Sequence, residues 1–90
     1  MNSIKHKHAT RLWVARKQRR LSQKQVARLI GHKSTTMLSK YEQGERPPPL
    51  FVAMKLAIVY QSSLEELLPI LYKAAKTEVL KAQLKNLRAT

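Results

Sequence analysis

The chain of 90 residues sets 18 Lys and Arg against 5 Glu, with no Asp and no Cys, for a formal charge of +13. The lack of cysteine excludes a disulfide framework, a thiolate metal site and a cysteine nucleophile. With 43% apolar residues the chain can build the modest core of one small domain, which argues against a disordered basic tail, and its charge calls for a polyanionic partner, nucleic acid or an anionic membrane.

Residues 1–9 read as a basic N-terminal arm without the apolar run of a signal peptide, so a cytoplasmic protein is expected. His6 and His8 alternate there, but with no Asp or Cys anywhere and His32 far along the chain a metal site lacks ligands, and no metal or cofactor is expected. Apolar spacing then predicts helices over about 10–20, 23–30, 35–43, 50–60, 64–68 and 70–88, and no strand. Trp13, beside Leu12 in the first helix, is expected to pack. Ser22 with Gln25, and Ser63 with Glu66, have the spacing of capping boxes and mark two helix starts. Gly31 and Gly44 each follow a helical run, where a left-handed residue closes a helix. Pro47, Pro48 and Pro49 enforce an extended connection into the apolar run Leu50 to Tyr60. That run is 11 residues, about half of the ~20 that span a bilayer, so it is expected to be a buried helix and not a membrane span.

Charge is unevenly spread. Residues 1–40 hold 11 Lys or Arg and no acid, residues 41–72 sum to −2, and residues 73–90 return to +4. The first half therefore faces the polyanion. Within it, a short helix, a tight turn at Gly31 and a second short helix make a helix-turn-helix, whose later helix can lie in the major groove of DNA. At about 100° per residue, Leu38 and Tyr41 share one face of helix 35–43 while Thr36, Ser39, Lys40 and Gln43 form the other. Lys is suited to guanine O6 and N7, and Thr adds a methyl contact to thymine. A solvated polar face has the same periodicity.

Leu21-Ser22-Gln23, Val26-Ala27, Ile30-Gly31, the run from Leu38-Ser39-Lys40-Tyr41 through Glu42-Gln43-Gly44-Glu45-Arg46-Pro47, then Lys55-Leu56-Ala57 and Ser63-Leu64-Glu65-Glu66-Leu67-Leu68 follow one another along the chain. With these motifs the chain resembles the phage-repressor/Cro type of regulator, the XRE family. The resemblance covers roughly residues 10–68. It implies an all-α, five-helix repressor-like domain, to which residues 69–90 add a C-terminal helix. It further implies a sequence-specific, double-stranded DNA-binding transcriptional regulator of the repressor kind. Thr35, Thr36 and Lys40 occupy its base-reading positions with Ser39 beside them. Gln23, Lys24, Lys33, Ser34, Gln43 and Arg46 fall at phosphate-contacting positions, with Arg19 and Arg20 as further cations. Arg16 and Glu42 match a partly buried ion pair joining the first helix to the third.

The chain departs from the family in three places. His32-Lys33-Ser34-Thr35 makes the turn one residue longer than the commonest pattern, which leaves Ser34 or Thr35 to begin the recognition helix. Arg20 and Gln61 replace frequent glycines, the first at a position that calls for positive φ.

Catalysis is not expected, because no Asp is available and the five Glu fall at cap, ion-pair and surface positions. In the last segment Leu80, Leu84 and Leu87 form one stripe, interrupted upstream by Lys73 and Lys76, and Leu71, Ala75, Val79 and Ala82 form another. One stripe is expected to pack on the domain and the other to be covered by a second copy, giving a homodimer; packing within the chain alone, or a frayed tail, is the competing reading. A second functional class is an antitoxin-like protein that binds a partner protein and autoregulates through the same domain. A cationic membrane binder accounts for the last segment but not for the helix-turn-helix.

Overall fold

The computed structural model describes residues 10–89, and these form six helices and no strand: α1 (Arg11–Gln18), α2 (Gln23–Leu29), α3 (Thr36–Glu42), α4 (Leu50–Tyr60), α5 (Leu64–Leu67) and α6 (Pro69–Ala89). The arm over residues 1–9, with His6 and His8, lies outside the described residues. Each start has a local cause. Thr10 stands in extended backbone as the N-cap of α1 and its hydroxyl accepts from the Trp13 amide, so the helix begins one residue later than its spacing suggested. Ser22 and Ser63 close reciprocal capping boxes with Gln25 and Glu66. Pro69 takes the first position of α6, where its missing N–H costs nothing, so that helix begins one residue earlier.

Four helices end in the same way. At the ends of α1, α2, α3 and α4 the paired amides of Arg20 and Leu21, Gly31 and His32, Gly44 and Glu45, and Gln61 and Ser62 return to carbonyls of the last turn. This double closure needs a left-handed residue. Gly31 (φ 81°) and Gly44 (φ 75°) supply it without strain, whereas Arg20 (φ 56°) and Gln61 (φ 51°) adopt it with a side chain present.

Leu12, Val26, Ile30, Leu38, Leu56 and Tyr60 are almost fully buried and form the centre of the core, closed by Ala15, Tyr41 and Leu67. The helix α1 packs on α3 and α5, α2 on α3, and α5 on α4 and α6. The stripe Val26, Ala27 and Ile30 carries α2 into this core, and Leu38 with Tyr41 carries α3. Contrary to the expected buried helix, α4 is sunk on one side only. Ala53, Leu56 and Tyr60 face inward, while Leu50, Phe51, Met54 and Ile58 are exposed.

The last helix leaves the domain. Its root, with Ile70, Leu71 and Ala74, edges an apolar groove of about 510 Å³ against Leu12, Pro48 and Leu67. Every residue from Pro69 to Leu87 is exposed. The expected packing of one stripe onto the domain is therefore confined to this root. The consequence is a radius of gyration of 15.9 Å, against about 12 Å for a compact chain of this length.

Candidate nucleic-acid interface

The turn between α2 and α3 is closed by bonds local to each helix end. Gly31 and His32 close α2 by bonding the carbonyls of Arg28 and Ala27, and the His32 ring lies 6.5 Å from that of Tyr41. Thr35 then occupies the N-cap of α3 without a side-chain cap bond. The hydroxyl of Ser34 serves instead, accepting from the Thr36 amide at 3.4 Å and donating to the Thr36 hydroxyl at 3.3 Å. So Thr36 is the first helical residue, and Ser34 and Thr35 both belong to its entry.

The orientation of α3 is fixed from behind. Its buried face carries Leu38, Tyr41 and Glu42, and its outer face carries Thr36, Lys40 and Gln43, all exposed, with Ser39 half-buried between them. Arg16 of α1 meets Glu42 through two parallel bonds, Nε to Oε2 at 2.6 Å and Nη2 to Oε1 at 3.1 Å. The third guanidinium nitrogen, Nη1, donates to the Leu21 carbonyl at 2.9 Å, ahead of α2. The Gln23 amide, on the first residue of α2, donates to Glu42 Oε1 at 3.0 Å. One carboxylate thus holds all three helices of the motif in register, with both charges buried and hydrogen-bonded as low-dielectric ions require.

This network gives Gln23 a bracing role through one amide hydrogen and leaves its carbonyl oxygen and second hydrogen for other partners. Gln43 is likewise engaged, donating to the Ser39 hydroxyl at 3.0 Å across one turn of the outer face. Lys24, Lys33, Lys40 and Arg46 are exposed. Of the Lys and Arg between residues 10 and 40, all except Arg16 are exposed, among them Arg19 and Arg20. These exposed cations are available to phosphates around a groove.

Two supporting residues escaped the sequence reading. The Thr10 hydroxyl, besides capping α1, donates to the Glu42 carbonyl at 2.8 Å and so ties down the end of α3. Lys55 of α4 donates to the Ile30 carbonyl at 3.0 Å, closing α2 at the turn, and its ammonium lies 4.8 Å from the Phe51 ring centre. A Thr before a helix signals a cap, but neither partner is near in sequence, and only the folded chain brings them together.

Among the described residues no three His, Asp or Glu side chains gather to hold a metal, and no helix is long and apolar enough to cross a membrane. No curated protein and no solved structure matches the chain significantly. The helix-turn-helix family matches residues 15–67, more than half of the chain, from within α1 to the end of α5. With that match and the geometry of α2 and α3, the chain belongs to the helix-turn-helix family of phage-repressor/Cro (XRE) type, whose domain binds DNA in transcription regulation.

Proposed function

We propose that the protein is a cytoplasmic, sequence-specific repressor that reads double-stranded DNA with α3. Thr35, Thr36, Ser39 and Lys40 read base edges, and Gln23, Lys24, Lys33, Ser34, Gln43 and Arg46 contact the backbone. The observation that carries this reading is the buried Arg16, Glu42 and Gln23 network, which fixes the inner face of α3 so that an uninterrupted polar face points outward. A helix merely solvated on its outer side would not need its register secured to two other helices.

The reading includes a homodimer, which sets two α3 helices about 34–36 Å apart on successive major grooves. The outer face of α4 suits that contact. Leu50, Phe51, Met54 and Ile58 fall within an arc of about 100°, all are exposed, and the one cation at the edge, Lys55, is already engaged with Ile30 and Phe51. An uncharged patch can meet its own copy without like-charge repulsion.

Selection of bound duplexes from a random pool at about 150 mM salt, where non-specific attraction is much reduced, tests this. A palindrome with half-sites about 10 base pairs apart is expected. Binding without an enriched motif, lost as salt rises, would mean that the charge attracts phosphate without reading bases.

The exposed α6 favours a second reading of the whole chain, in which the domain also serves an antitoxin-like protein with a partner protein bound through the C-terminal helix.

A further inference from the structure

We infer that the leucine stripe of α6 docks a partner protein that carries carboxylates beside an apolar strip, in preference to the same stripe of a second copy of this chain. The inference rests on the partner-binding reading above and is independent of DNA recognition.

At about 100° per residue, Lys73, Lys76, Leu80, Leu84 and Leu87 fall within about 80° of one another, so the stripe of three leucines continues toward the root as two lysines. Leu80 and Leu84 are 50% and 56% exposed, and Lys73 and Lys76 are exposed and form no ion pair among the described residues. Glu78 is the one acid on α6, and it stands about 180° from Leu87, on the opposite side of the helix.

A second copy brings no carboxylate to this stripe. Side by side and parallel, the two helices set Lys73 on Lys73 and Lys76 on Lys76. Antiparallel and centred on Leu80, they set Lys76 against Leu84 and Lys73 against Leu87, which strands each ammonium on apolar surface. In neither arrangement does a carboxylate reach the seam. Glu65 and Glu66 precede Pro69 and lie outside the helix, and Glu66 is held by Ser63.

The groove at the root of α6 has the same bias, since the charged residues on its edge are Arg11 and Arg46. The complementary surface is therefore an apolar strip that turns acidic over the stretch facing Lys73 and Lys76. An anionic membrane would supply the charge, but Gln83 and Asn86 interrupt the remaining apolar arc of α6 and leave little continuous surface to bury in lipid.

The test uses the full chain and a synthetic helical peptide of the length of α6, with leucines placed to meet Leu80, Leu84 and Leu87 in antiparallel register and glutamates placed to meet Lys73 and Lys76. Titration calorimetry without DNA compares it with the same peptide carrying lysines in place of the glutamates. Saturable binding is expected for the acidic peptide, about tenfold or more tighter than for the basic one. It should be lost in Leu84→Asp and weakened in Lys76→Glu, while circular dichroism shows both variants folded. Sedimentation equilibrium should give the same mass distribution for Leu84→Asp as for the parent chain. Three results overturn the inference: dissociation of a dimer by Leu84→Asp, which makes a second copy the occupant; equal binding of the acidic peptide to Leu84→Asp, which makes the attraction one of net charge; and Leu84-dependent binding to anionic phospholipid vesicles with none to the peptide. A failure to select a DNA motif leaves these outcomes untouched.

Discussion

Arg16 and Glu42, 26 positions apart, join α1 to α3 through a two-pronged contact with both side chains almost wholly buried. Because Gln23 and the Leu21 carbonyl share the same charges, removing one partner strands several polar groups at once. Glu42→Ala is expected to cost about 3–5 kcal/mol, mostly through the uncompensated guanidinium. The double change Arg16→Met with Glu42→Leu should cost clearly less than the sum of its single changes. Urea unfolding of the four proteins checks this, and additive losses would show that the two residues do not act as a pair.

Tyr60 is nearly fully buried, and its hydroxyl has no hydrogen-bond partner among the described residues. Burial pushes its phenol pKa far above the ordinary value, the nearby Glu42 charge pushes it further, and Arg16 opposes them. An unpaired buried hydroxyl costs about 1–3 kcal/mol, so Tyr60→Phe is expected to be neutral or stabilising. The pH dependence has a definite sign. Above about pH 10 the unfolded phenol releases its proton while the folded one keeps it, so the folded state binds more protons and stability falls as pH rises. Melting temperatures between pH 8 and about 11 should therefore decline less in Tyr60→Phe than in the parent chain. Parallel declines would remove Tyr60 as a source of alkaline instability.

Much of this architecture was legible because its causes are local. Ser22 with Gln25, Ser63 with Glu66, and Gly31 and Gly44 announce helix ends through contacts within a few residues, and the structure has them there. The stripes of α2 and α3 likewise named Val26, Ile30, Leu38 and Tyr41 as inward-facing. What stayed hidden depends on distance through space. The same helical run that makes Leu56 core leaves Ile58 at the surface, and periodicity does not say that α4 has only one covered side. Nor do two stripes on α6 reveal that the domain reaches only its root. Thr10 and Lys55 each close a helix that lies far away in sequence, which no window of residues reports. For α3 the polar face was visible in advance, but the bonds between Gln43 and Ser39 and between Ser34 and Thr36, which decide which atoms remain for DNA, required coordinates.

Arg20 and Gln61 hold left-handed backbone at the ends of α1 and α4. A side chain in this region costs about 1–2 kcal/mol, offset in part by the greater chain entropy that glycine loses on folding. Arg20→Gly and Gln61→Gly should each stabilise the domain by about 0.5–1 kcal/mol, and their effects should add because the two turns share no partner. Thermal unfolding of the single and double variants measures this. A loss of stability in Arg20→Gly would show that the arginine side chain contributes more than its backbone strain.

Lys40 and Arg46 separate reading from attraction. Lys40 lies on the outer face of α3 beside Thr36, whereas Arg46 follows the turn at Gly44 and edges the groove beneath α6. If Lys40 meets a guanine edge, Lys40→Ala should cost about 1–3 kcal/mol on the selected duplex and relax preference at one base pair, with little loss on unrelated sequences. Arg46→Ala should weaken all duplexes alike and lower the salt slope of log K by about one. Equilibrium binding of both variants to the selected duplex and to a scrambled one, across a salt series, gives each quantity directly. Should Lys40→Ala weaken both duplexes equally, Lys40 touches only phosphate, and base recognition would fall to Thr35, Thr36 and Ser39 alone.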